Sequence, residues 1–263
     1  MNKTGYSELS KDAVYLLSRA EFEKQKVITT EYAVKVLGSY RKATSMLDKL
    51  SKRNRLIQLA RGQYLAVPLK APNQLWMPNE YVIASLWMDK IPYYIGYTSM
   101  YSYWGFTDQI PQSVTILNAT KEGRRNIKNI KYVAIKISPG KMYGIKKIRV
   151  EEEDIWISDK ERTLLDFIIK PMGSWENVQH VIDMQIGSID IQKFISYLIK
   201  YPAATVRKRG GLMLEKAGVS QTDLIKLKKS TGLKNTYTNF NPFIRSRKGK
   251  VNQDWKLIIN GKE

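Results

Sequence analysis

Apolar positions return every three or four residues at the start of the chain, and this spacing predicts three short helices. Ala13, Leu16, Leu17 and Ala20 form one stripe behind Ser10, a good helix N-cap. Val27-Ile28 reads as a strand, and Thr29-Thr30-Glu31 then opens a second helix carrying Ala33, Val34, Val36 and Leu37. The turn Leu37-Gly38-Ser39 leads into a third helix, SYRKATSMLDKLSKRNR, with Ala43, Met46, Leu47 and Leu50 on one side. Arg41, Ser45, Asp48 and Lys52 fall on the opposite side, flanked by Lys42, Thr44 and Lys49. Two β-prone runs, Leu56–Leu59 and Gln63–Val67, then surround a basic tip at Ala60-Arg61-Gly62. Helix, helix, basic helix and basic-tipped hairpin together make the pattern of a winged helix-turn-helix.

Pro68, Pro72 and Pro78 punctuate the next stretch, and residues 71–78 read as a linker. Asn79 is expected to cap a helix carrying Val82, Ile83, Leu86 and Trp87. A strand into Ile95 follows, then a short helix from about Thr98 to Trp104, a stop at Gly105 and a strand from Ser113 to Leu117. Tyr132–Ile137, Ile145–Val150 and Ile155–Ile157 are further β-prone runs. SDKERTLLDFII is a helix in which Ser158 and Glu161 are expected to form a capping box. Helices follow at about 175–185, 190–200, 203–217 and 221–230, and Trp255–Ile259 reads as a final strand. The expected fold class is α+β: a winged helix-turn-helix over 1–70, then a larger mixed α/β domain over 79–263. The helical, basic subregion of that domain spans about 175–235.

Composition narrows the chemistry. With 43% hydrophobic residues among 263, the chain can bury a substantial core. There is no cysteine and only one histidine, His180, which excludes disulfides, cysteine-ligated metals and multi-histidine sites. No cofactor and no metal are expected. The start of the chain lacks the apolar run of a signal peptide, and Pro92, Gly96 and Gly105 break up Ile91–Thr107. The expectation is therefore a cytoplasmic protein without a membrane span. The net charge of +20 is distributed unevenly. Residues 1–70 carry 14 basic and 6 acidic side chains, residues 71–199 carry 15 and 14, and residues 200–263 carry 15 and 4. Excess at the two ends points to a polyanionic partner, most simply double-stranded DNA, although charge alone also suits a solvated surface or an acidic membrane.

The candidate DNA-binding residues are Tyr40, Arg41, Lys42, Thr44, Ser45, Lys49 and Lys52 on the third helix, with Arg61 at the hairpin tip. Arg41 and Ser45 are placed for base edges, Lys49 and Lys52 for phosphates, because recognition helices read bases with their N-terminal part. Asp48 is read either as the ion-pair partner of Lys52 four residues on, the favoured reading, or as an acceptor for cytosine. Arg207, Lys208 and Arg209, with Arg245, Arg247 and Lys248, are candidates for a second basic surface. A different class of function is a Mg²⁺-dependent nuclease built on Glu151 to Asp154, Asp159 and Lys160. Successive acids on a strand point to alternate faces, which favours a solvated turn there.

The segment Gly96–Pro111, GYTSMYSYWGFTDQIP, resembles the hallmark of AbiEi-type antitoxins of abortive-infection (type IV) toxin–antitoxin pairs. The matching positions are Ser99, Gly105, Thr107, Gln109 and Pro111. A second match is ISDKERTLLDFI, through Ser158, Glu161, Arg162, Leu164 and Asp166, and a third is the tail with Asn241-Pro242, Gly249, Asn252 and Trp255. The resemblance implies a transcriptional autorepressor that binds inverted repeats in its own promoter and counters a co-encoded nucleotidyltransferase toxin. It implies no catalytic residue, and it leaves room for self-association on DNA. A regulator of the same family with no toxin beside it is the alternative.

Overall fold

The computed structural model describes residues 9–69, 71, 76–232 and 236–261. Residues 72–75 of the expected linker and 233–235 of the expected basic subregion lie outside them. The chain opens with α1 (Lys11–Phe22), β1 (Val27–Thr29), α2 (Thr30–Leu37), α3 (Tyr40–Lys52), β2 (Leu56–Ala60), β3 (Gln63–Ala66) and α4 (Glu80–Met88). Next come β4 (Tyr93–Ile95), α5 (Thr98–Tyr103), β5 (Ser113–Asn118), β6 (Gly123–Ile127), β7 (Ile130–Lys136), β8 (Ile145–Val150) and β9 (Glu153–Ser158). The remainder is α6 (Lys160–Ile169), α7 (Trp175–Gln185), α8 (Ile191–Lys200), α9 (Ala204–Lys216), α10 (Gln221–Ser230), β10 (Thr238–Asn239), β11 (Lys250–Asn252) and β12 (Leu257–Ile259). The fold is thus α+β. No described helix is long and apolar enough to cross a membrane.

Two compact units divide the chain. The first comprises Met1–Ile91, Gly123–Val133 and Arg149–Ile155. Its helices start where short polar side chains supply caps: Ser10 accepts from the Ala13 amide, Thr29 from Tyr32, and Ser39 from Lys42. Gly38 ends α2 in the left-handed region at φ 75°, which lets α3 begin two residues later at a new angle. The three-stranded sheet is antiparallel in the order β1–β3–β2, with Leu65 of β3 opposite both Val27 and Ile57. Leu16, Leu17, Ile28, Ala43, Leu47 and Leu50 close the core between helices and sheet. The unit does not end in the expected linker. α4 lies against β2, and the β6 segment and the turn between β8 and β9 also belong here. Trp87 of α4 meets Tyr132 edge-on, with ring centroids 6.3 Å apart.

The second unit comprises Pro92–Glu122, Ala134–Ile148 and Trp156–Glu263. Its β4 pairs antiparallel with β5 and, through Ile95 and Ile157, parallel with β9. Helices α6 to α10 enclose a core of Leu164, Leu165, Phe167, Phe194, Leu198 and Trp255. A small sheet in the order β10–β12–β11 closes the chain.

Two expectations need correction here. Ser158 is not the N-cap of α6: β9 runs one residue further, and Asp159 accepts from the Arg162 amide at 2.7 Å. Ser158 Oγ instead lies 2.7 Å from Thr163 Oγ1, and Glu161 accepts from the Asp190 amide and from Lys193. The final strand begins at Leu257 rather than Trp255, whose amide donates to Asn252 Oδ1 in the preceding turn.

Candidate nucleic-acid interface

The open face of α3 follows from its sequence. Ala43, Leu47 and Leu50 are buried, so helical periodicity turns Arg41, Ser45, Asp48, Lys49 and Lys52 to solvent. Tyr40, at the first turn, is 69% exposed. Arg41, Ser45 and Lys49 stand on this face without an ion-pair or hydrogen-bonded side-chain partner among the described residues. Lys52 pairs with Asp48 at 2.8 Å, as the spacing predicts. Lys42 pairs with Asp12 of α1 at 2.8 Å, which ties α3 to α1 instead of leaving that charge free. The Thr44 hydroxyl donates back to the carbonyls of Tyr40 and Arg41, the usual local alternative for a helical threonine. Arg61 is exposed at the turn between β2 and β3. Among the described residues, five of the eight candidates therefore present side chains with no partner for their polar heads: Tyr40, Arg41, Ser45, Lys49 and Arg61.

Arg207, Lys208 and Arg209 do not form a second basic surface. Consecutive helical residues point in different directions, and each of these heads is used within the unit. Arg207 donates to the carbonyls of Ile199 and Tyr201, Arg209 to that of Asn239, and Lys208, 4% exposed, to that of Thr236. Burial lowers the pKa of both Lys208 and Arg209. Arg247 donates to the Tyr237 carbonyl, while Arg245 and Lys248 are exposed.

The motif positions hold the fold together. Ser99 is buried, donates to the Ser113 carbonyl and accepts from the Thr115 amide, which fastens α5 to β5. Gly105 ends α5 at φ 71°, where a side chain would be strained. Thr107 accepts from the Gln109 amide in the turn that ends at Pro111. Arg162 and Asp166 form a buried ion pair at 3.0 Å, and Arg162 also reaches Tyr94 Oη and the carbonyls of Lys141 and Tyr143. Burial pushes the Asp166 carboxyl up to about 6 against the pull of Arg162. In the tail, a side chain at Gly249 would meet the Ile259 carbonyl, and the Trp255 ring packs against Gly211.

The acids at 151–154 in the nuclease reading do not converge. Glu151 accepts from the Asn79 amide, Glu153 pairs with Lys26, and Asp154 pairs with Arg149 at 2.9 Å. Among the described residues no group of three or more His, Cys, Asp or Glu side chains could hold a metal ion. The β6–β7 hairpin, by contrast, carries exposed cations that a pattern of apolar residues could not reveal, because Gly123-Arg124-Arg125-Asn126 is polar on both faces.

The chain matches no protein-family model and no curated protein. It is similar in fold to the RV2827C protein from Mycobacterium tuberculosis, whose crystal structure aligns with a TM-score of 0.67 at 14% identity. That alignment covers 95% of this chain and 92% of the other, so the likeness is one of fold across nearly the whole of both.

Proposed function

We propose that this protein is a DNA-binding transcriptional repressor whose first unit is a winged helix-turn-helix, with α3 as recognition helix and the β2–β3 hairpin as wing. The observation that carries the reading is the open face of α3, where Arg41, Ser45 and Lys49 have no partner among the described residues while the opposite face is buried. Arginine and serine near the start of such a helix suit base edges in the major groove, and Lys49 suits a phosphate further along. The helix order, the antiparallel β1–β3–β2 sheet and the exposed Arg61 support the same reading.

The resemblance of three motifs to AbiEi-type antitoxins extends it. On that basis the protein is an antitoxin acting in the cytoplasm: it represses its own promoter at inverted repeats and counters a nucleotidyltransferase toxin. The second unit then provides partner contact or self-association, and no catalytic step is assigned to it. The buried roles of Ser99, Glu161 and Asp166 support a motif that maintains a fold, not one that performs a reaction.

Substitution separates the roles on α3. Arg41→Ala is expected to lower discrimination between the protein's own upstream DNA and random duplex by about 1–3 kcal/mol. Lys49→Ala is expected to weaken binding to both duplexes alike and to reduce the salt slope by about one. Equal losses on both duplexes for both variants would contradict this division. Binding curves by fluorescence anisotropy provide the measurement.

A further inference from the structure

We infer that the β6–β7 hairpin is a second DNA-contacting element, whose Arg124, Lys128 and Lys131 meet phosphates beyond the C-terminal end of α3. The inference rests on the DNA-binding reading above and adds a surface to it.

Lys121 to Lys131 holds five cations, Lys121, Arg124, Arg125, Lys128 and Lys131, against one acid, Glu122. The stretch is hidden inside a middle region whose total charge is nearly neutral, because the acids lie elsewhere, with four of them successive at 151–154. Arg124, Lys128 and Lys131 are exposed, and none of the three has an ion-pair partner among the described residues.

Placement is the second observation. The Gly123–Val133 part of the hairpin, which holds Arg124, Lys128 and Lys131, belongs to the same compact unit as α3, and β6 lies beside β2. Lys128 Nζ donates to Asn54 Oδ1 at 3.1 Å, and Asn54 stands two residues beyond the end of α3 at Lys52. The turn of the hairpin is therefore held directly at the exit of the proposed recognition helix. Lys128 and Asn54 both occupy left-handed backbone, at φ 52° and 53°. Two non-glycine residues in that region, joined side chain to side chain, indicate turns fixed by their surroundings. A neutral amide leaves the charge of Lys128 uncompensated.

Chemistry then selects the partner. The heads are long, cationic and spread over two strands and a turn, and the exposed Asn126 and Asn129 beside them can also bond phosphate oxygens. Such a set recognises the sugar–phosphate backbone of a duplex, contributing affinity and orientation without sequence information. Charged side chains on an edge strand also discourage strand-to-strand aggregation. That role alone predicts no change in DNA affinity when the charges are removed.

The test uses the full chain with the gene's own upstream duplex and a random duplex, titrated between about 50 and about 200 mM salt. The variant R124Q/K128Q/K131Q is expected to bind both duplexes more weakly and by the same factor. Its slope of log affinity against log salt should be shallower by about two to three, or about 0.9 for each phosphate that is no longer neutralised. The charge-preserving variant R124K/K128R/K131R is expected to keep the wild-type slope. A glutamine variant with wild-type slope and affinity would overturn the inference and leave the role of α3 intact. Equal losses in the glutamine and charge-preserving variants would also overturn it, since the effect would then be structural. Failure of the wild-type protein to bind either duplex would instead remove the DNA-binding reading itself.

Discussion

Arg162 and Asp166 stand four residues apart on α6, and both are almost wholly out of water, at 2% and 0% side-chain exposure. A charge buried this far holds only while its partner and hydrogen bonds remain. Arg162 has those in Asp166, Tyr94 and two backbone carbonyls, so it acts as the pin between α6, β4 and the segment around Tyr143. Asp166→Asn keeps the shape and removes the charge. It is expected to cost about 3–5 kcal/mol of stability, measured as a lowered denaturation midpoint, because it leaves the guanidinium uncompensated. A loss below about 1 kcal/mol, the range of an exposed pair, would show that the guanidinium is compensated by other groups. The sequence displays both residues on one helix but not their burial. Their charge suggests surface, and only tertiary packing places them in the core.

At the scale of the element, periodicity carries the helices well. Apolar stripes locate α1 to α4 and α6 to α10, with short polar caps marking several of their starts, because both signals are local. What depends on neighbours is less legible. The β6 strand has no apolar alternation, so nothing in its residues marks it as part of a sheet. The α6 cap lies one residue later than expected because β9 consumes Ser158. Gly210 and Gly211 on α9 give no sign of their purpose until the packing is visible. A side-chain carbon at Gly211 would come within 2.1 Å of the Trp255 ring, and one at Gly210 within 2.6 Å of Leu198. Gly211→Ala should therefore destabilise the second unit by about 1–3 kcal/mol through overpacking, although alanine is ordinarily the better helix former. Thermal melting checks this, and a variant as stable as the wild type would mean that Trp255 repacks freely.

For the whole molecule, the informative quantity is where the charge of +20 is free. Counting residues along the chain suggests two basic ends and a neutral middle. The fold redistributes that picture. Much of the C-terminal cluster satisfies backbone carbonyls around α9, whereas the middle supplies cations beside α3. Sequence counts sum charge along the chain, while a polyanion meets charge in space. The α3 face is legible because helical periodicity is a property of neighbouring residues; the hairpin beside it is not, since the hydrogen bond between Asn54 and Lys128 spans 74 residues. The most direct test of the central claim is a mobility shift of the wild-type protein on its own upstream DNA against random duplex, at two salt concentrations. The expected result is tight binding to the upstream DNA, protection of a repeat within it, and a preference that persists at the higher salt. Salt-sensitive binding with no preference between the two duplexes would contradict it.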